Sequence, residues 1–398
     1  MIKINKWFPE KVSEKYGSKM LKEILKKIQM NIPKKKMSEK DFEELTFIEF
    51  GNVKYTVNIE SLLVSPLKDL KTKCKRNGKE CDNGIDLYIS LCELETCKSL
   101  SEGDALKKIK AYDKEIYEYL EKKNLCEASD GTQNIDWTGW KKDVKNALFQ
   151  CICPGGECSK SYDDKDNKSK YIIHYDMLND KLRHELMSVL NITTCPYCNR
   201  QYITHYNDEK GNERSTADLD HFYQKSIYPL FALSLFNFIP SCQICNSRMK
   251  GTKQQNTLYP YEEGFGDRVK FCLKPKDHNE KNLLKSWLGD SEAINNLQID
   301  FEFCENLDKE FKKRAEGSIK LFRLKQVYDI HKAKALDILL KQRIYLEGSY
   351  KEYMSTLMKE LSLSCTDEDI IDILVGYHWK DGSYDEPLSK LARDIFYK

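Results

Sequence analysis

Two stretches decide how this chain is read: CPYCNRQYI at residues 195–203 and DLDHFYQKSIYPLFALSLFNFIPSCQICN at 218–246. Each carries a Cys-x-x-Cys pair, Cys195/Cys198 in the first and Cys242/Cys245 in the second. Such a pair forms a tight knuckle presenting two thiolates to one ion, and two knuckles complete a tetrahedral sulfur site suited to zinc. Four soft ligands leave no open position, so this Zn²⁺ is expected to be structural.

The residues between the knuckles differ in character. Ala217 to Phe222 reads as a strand, reached after a turn at Asn207 to Asn212 and ending in the acid–histidine pair Asp220-His221. Asp218, two residues earlier, faces the same side of that strand and is a candidate auxiliary ligand. An apolar, helix-like run containing Asn237 follows, then Pro240, the second knuckle, and Asn246 in the expected first turn of a helix.

These residue types suit phosphodiester hydrolysis. Oxygen ligands such as Asp220 and Asn246 match a hard divalent ion, Mg²⁺ or Mn²⁺. An imidazole titrating near pH 6.5 is matched to taking a proton from water at neutral pH. It must be held in one tautomer, a task open to the Asn237 side chain or to a nearby backbone carbonyl. Arg200, Lys225, Arg248 and Lys250 flank these residues and are candidate nucleic-acid contacts.

The order Asp220-His221, Asn237, Cys242-x-x-Cys245-Asn246 resembles the HNH endonuclease family, whose core is the ββα-metal finger. The phrasing of the two stretches is similar to HNH proteins of bacterial anti-phage systems, Septu-type and retron-linked. About 65 residues carry the close likeness, with a looser one through FRLKQVYDIHKAK (322–334) and EPLSKLARDIFYK (386–398). The resemblance implies that His221 activates water, Asp220 and Asn246 bind the catalytic ion, Asn237 orients the histidine, and the cysteines hold zinc. It further implies a DNA-cutting defence effector, with an ATPase or other sensor protein as partner. Gln224 stands where such sequences often have proline. The alternative readings are an RNA-cleaving toxin and a catalytically silent zinc module that binds nucleic acid or a partner protein.

Composition sets wider limits. The chain has 398 residues, 32% charged and 40% hydrophobic, as in an ordinary globular protein, and its net charge is only +2. Residues 1 to 40 nevertheless hold twelve Lys against four Glu. Fifteen cysteines is an odd and high number, favouring metal ligation over disulfide staples. The most apolar run, Tyr228 to Pro240, is too short to span a bilayer, and MIKINKWFPEKV lacks a signal-peptide core, so the expectation is a cytoplasmic protein without membrane partners.

The expected class is mostly α (α+β): a central zinc-stabilised HNH module at 181–262 between helical regions at 1–180 and 263–398. Helices are expected at 10–31, 103–124, 138–150, 176–190, 280–296, 308–361 and 386–397. Strand-like patterning is expected at 43–64 and 297–303, a loop around Cys74, Cys81, Asn83 and Gly84, and a linker at 127–134. Leu336, Leu340 and Ile344 fall on one helical face. Cys151, Cys153 and Cys158, with His174 or Cys126, are candidates for a second ion against a default of incidental thiols, and Trp137, Trp140 and Tyr202 are candidates for base stacking against a default of buried core.

Overall fold

A computed structural model describes residues 1–4, 21–31, 44–96, 102–127, 133–153, 171–253, 256–277, 281–288, 290–379 and 384–397. Helices dominate, accompanied by small antiparallel sheets, so the mostly α (α+β) class holds. Two compact units interleave along the sequence. Trp7–Val189 with Asp220–Ile239 form one; Met1–Lys6, Leu190–Leu219 and Pro240–Lys398 form the other. Segment 181–262 therefore contributes to both.

The unit containing Trp7–Val189 is built around a four-stranded antiparallel sheet in the order β1 (Glu44–Phe50), β2 (Val53–Asn58), β3 (Cys74–Arg76), β4 (Lys79–Cys81). Alternation in β2 puts Val53, Tyr55 and Val57 in the core. The strand-like pattern at 43–64 overran its strand: Ile59–Val64 is a helix, capped by the Asn58 side chain, which accepts from Ser61 N–H.

The expected loop at Cys74–Gly84 is mostly a hairpin. Asn77 and Gly78 take left-handed φ of 48° and 81°, the two-residue turn that an Asn-Gly pair favours. Gly84 then opens the Gly84–Thr96 helix against the sheet, where a Cβ would lie 3.0 Å from the Tyr55 ring and 3.1 Å from Cys74 Cβ.

The helical stretch 103–124 is two helices, Glu102–Tyr112 and Lys114–Lys123, because Asp113 interrupts it. Its carboxylate caps the second helix and also accepts from Tyr55 Oη and Arg76 Nε, each at 2.7 Å. The ends of the expected linker instead pair as β5 (Leu125–Glu127) and β6 (Gln133–Ile135). Helices Trp137–Ile152 and Asp180–Leu190 follow, with Trp140 fully buried. Of the expected 10–31 helix, Leu21–Asn31 is observed and 10–20 lie outside the described residues.

In the other unit, β7 (His205–Asn207) and β8 (Glu213–Ser215) flank the expected turn, where Asp208 accepts from the backbone of Lys210 and Asn212. Next comes β9 (Asp218–His221), which pairs with β10 (Phe238–Ser241); the division between units falls within both strands. The expected strand at 297–303 is β12 (Leu297–Phe303), paired along its length with β11 (Val269–Pro275), which the sequence reading missed.

Helices Lys309–Leu321, Leu324–Tyr328, Lys332–Leu346 and Ser349–Glu360 divide the expected 308–361 stretch, and an unforeseen helix covers Asp367–Val375. The expected stripe on Lys332–Leu346 is only partly buried: Leu336 is inside, Ile344 is 48% exposed, and Ala335 and Ile338 fill the core instead. The Ser389–Phe396 helix is tied to β11 by a buried pair, Lys390 with Asp394, whose carboxylate also accepts from Phe271 N–H at 2.8 Å. Burial pushes the lysine down and the aspartate up from their usual values. Among the described residues no helix is long and apolar enough to cross a membrane.

Candidate metal centre and histidine site

The two knuckles converge. Cys195, Cys198, Cys242 and Cys245 are all buried, with their sulfurs within 4.8 Å of one another. Cys198 Sγ and Cys242 Sγ are 4.0 Å apart. Zinc–sulfur bonds of about 2.3 Å define a tetrahedron with edges of about 3.8 Å, so the cluster fits such an ion closely. Without a cation the four share protons unequally: burial raises the Cys195 thiol, and hydrogen bonding within the cluster raises Cys245 and lowers Cys198 and Cys242. Four thiolates coexist in so small a buried volume only around a cation.

Local hydrogen bonding shapes the first knuckle. Asn199 N–H donates to Cys195 O at 2.7 Å, Cys195 N–H to Gln201 O at 3.0 Å, and Ile2 N–H to Pro196 O at 2.8 Å. Asn199 is fully buried at a left-handed φ of 48°. Its amide donates to Tyr384 O and Glu386 O and accepts from Lys390 N–H, and its backbone oxygen accepts from Leu388 N–H. Tyr328 Oη donates to Cys198 O at 2.6 Å, and Tyr197 stacks on Phe322 at 4.5 Å. The C-terminal helices therefore brace the cysteine cluster. No motif announced Asn199, although an asparagine after a knuckle is a residue suited to left-handed backbone.

The second knuckle continues into Ile244–Lys250, a π-helical turn rather than the expected α-helix. Such turns are rare and recur at functional sites. Asn246 lies in it and donates through Nδ2 to Asp218 Oδ2 at 3.1 Å; Ser247 Oγ donates to the same oxygen at 3.3 Å. This contact uses the Asn246 nitrogen, so its amide oxygen is the atom it can offer a cation. Asp218 is thus a hydrogen-bond partner of Asn246 and Ser247.

Asp220, His221 and Asn237 belong to the other unit, and all three are buried. His221 Nε2 lies 3.0 Å from Ala232 O. A carbonyl only accepts, so Nε2 carries the proton and Nδ1 is the basic nitrogen of the neutral ring. Tyr175 and Phe238 hold the ring edge-to-face, at 4.7 Å and 5.1 Å.

Of the two expected ways to orient the imidazole, the backbone carbonyl is the one used. Asn237 Nδ2 donates to Tyr223 O and Phe231 O, Oδ1 accepts from Tyr223 N–H, and Asn237 O accepts from Phe222 N–H. It staples both ends of the 222–232 segment and so fixes the carbonyl that fixes the histidine. The expected helix-like run around it is two short 3₁₀ turns, Pro229–Phe231 and Leu235–Asn237, leading into β10.

The four expected nucleic-acid contacts are dissimilar. Arg248 is exposed, but Lys250 is buried, which departs from a solvent-facing phosphate contact. Arg200 donates to His331 Nε2 at 3.1 Å beside Tyr328, a bracing position near the first knuckle. Lys225, partly exposed, lies 5.2 Å from the Tyr175 ring centroid. Arg183 lies 4.5 Å from the same centroid; neither Arg183 nor Tyr175 was singled out beforehand. Trp140 is core, whereas Tyr202 is 63% exposed.

The expected second ion loses a ligand, since Cys153 is disulfide-bonded; Cys151 is a free thiol and Cys158 lies outside the described residues. No family model matches this chain, and no curated protein or solved structure matches it either.

Proposed function

We propose that this chain is a metal-dependent HNH endonuclease, built on a ββα-metal module, that hydrolyses phosphodiester bonds in DNA. The observation that carries this reading is the His221 Nε2–Ala232 O hydrogen bond, which selects Nδ1 as the base. Nδ1 accepts the proton of the attacking water, and the Ala232 carbonyl stabilises the imidazolium that forms. Asn237 keeps that carbonyl in place by clamping Phe231 and Tyr223. Such base assistance contributes about 10²–10⁴-fold.

The family resemblance names Asp220 and Asn246 as the residues that would hold Mg²⁺ or Mn²⁺, an ion that would polarise the phosphodiester and stabilise the leaving oxygen. Asp218 orients Asn246. The cysteine cluster holds a structural zinc that shapes the turn carrying Asn246. A role in defence against invading DNA, with an ATPase or other sensor protein controlling the cut, follows from the family resemblance.

The purified chain is expected to nick or linearise plasmid with Mg²⁺ or Mn²⁺ and to stop when those ions are chelated. Cleavage of RNA alone would make it a ribonuclease; binding without cleavage of any nucleic acid would make it a silent zinc module.

A further inference from the structure

Two cations gather on one aromatic ring in the unit that holds His221. The Arg183 guanidinium carbon is 4.5 Å from the Tyr175 ring centroid, Lys225 Nζ is 5.2 Å from it, and the ring stands edge-on to His221 at 4.7 Å. Both charges are therefore no more than about 10 Å from the imidazole. Arg183 is held by a bond from Nε to Leu178 O at 2.8 Å and one from Nη1 to Asp180 at 2.9 Å. Asp180 is 83% exposed and Arg183 28%, so water weakens that ion pair. Nη2 makes no hydrogen bond among the described residues, leaving part of the guanidinium fork for an anion.

We infer that Arg183, with Lys225 beside it, contacts the phosphates that flank the scissile bond. The inference rests on the nuclease reading and adds to it the kind of substrate the histidine site takes: a strand with phosphates on either side of the cut, not an isolated phosphodiester. Tyr175 does two things in this arrangement. Its edge fixes the imidazole, and its π-face steadies cations that would otherwise repel each other. Aspartate or glutamate at these positions would repel the substrate. Arginine offers a phosphate two parallel donors.

The test is equilibrium binding of a fluorescein-labelled DNA duplex, followed by anisotropy across a salt series without added divalent ion, so that no turnover is needed. Arg183→Gln, which removes the charge while keeping a polar amide, is expected to weaken binding several-fold and to shorten the slope of log Kd against log salt by about one. Arg183→Lys is expected to restore the slope, because it restores the charge. Labelled RNA of the same length should show the same change, since a phosphate contact ignores the sugar. An Arg183→Gln protein that melts like the wild type and keeps its Kd and slope would overturn the contact. If the wild-type chain binds with the expected slope but never cuts, the nuclease reading fails while this contact stands. If it cuts but Arg183→Gln binds like the wild type, the contact fails while the nuclease reading stands.

Discussion

The cysteine cluster and the histidine site are organised by different means. At the cluster, identity does most of the work: four sulfurs at paired spacing meet within 4.8 Å, and few other arrangements of those residues would satisfy them. At the histidine, identity decides little. What orients His221 for the proposed role of base is a backbone carbonyl at Ala232, held in place by an asparagine whose side-chain hydrogen bonds go to Tyr223 and Phe231 and not to the ring. A site made of side chains can be read from sequence, whereas one completed by main chain must wait for the fold.

The contrast can be broken most forcefully at the cluster. Cys242→Ser is expected to lose the zinc and much of the unit's stability, since structural zinc contributes on the order of 10 kcal/mol of folding free energy. Metal analysis alongside thermal unfolding checks this, and a stable, metal-free variant would remove the structural role. The next largest effect is expected at Asn199, which braces the same cluster. Asn199→Ala forfeits three side-chain hydrogen bonds and leaves at left-handed φ a residue that tolerates it less well than asparagine, costing about 3 kcal/mol in denaturant unfolding. Asn199→Gly should cost less, because it removes the bonds without the backbone strain.

Asn237→Ala sharpens the comparison from the other side. Its stability loss is expected to be smaller, about 2 kcal/mol for the bonds to Tyr223 and Phe231, but cleavage should fall about tenfold or more as the Ala232 carbonyl loosens. Zinc content should not change. If Asn237→Ala instead cost stability alone, with kcat intact, the staple would be a feature of folding and not of positioning.

How much could be read in advance follows the same division. Helical class, the knuckles, β9 and β12 were legible because period and spacing are local properties. The β3–β4 hairpin was legible too, since Asn77-Gly78 is a turn signal, but the cysteines and glycine beside it suggested a loop. Asp113 looked like one more polar residue in a helix; only Tyr55 and Arg76, distant in sequence, show why it ends one helix and caps another. The role of Asn199 depends on partners far along the chain, as does β11, whose register is set by β12. Local patterning has no access to such pairings.

The central claim is that His221 is the base of a metal-dependent nuclease. The direct measurement is plasmid cleavage in Mg²⁺ by the wild-type chain and by His221→Ala, with zinc content and melting temperature determined on the same preparations. The variant is expected to keep its zinc and its fold and to lose about 10²-fold or more in cleavage rate. Cleavage by His221→Ala at the wild-type rate would contradict the claim.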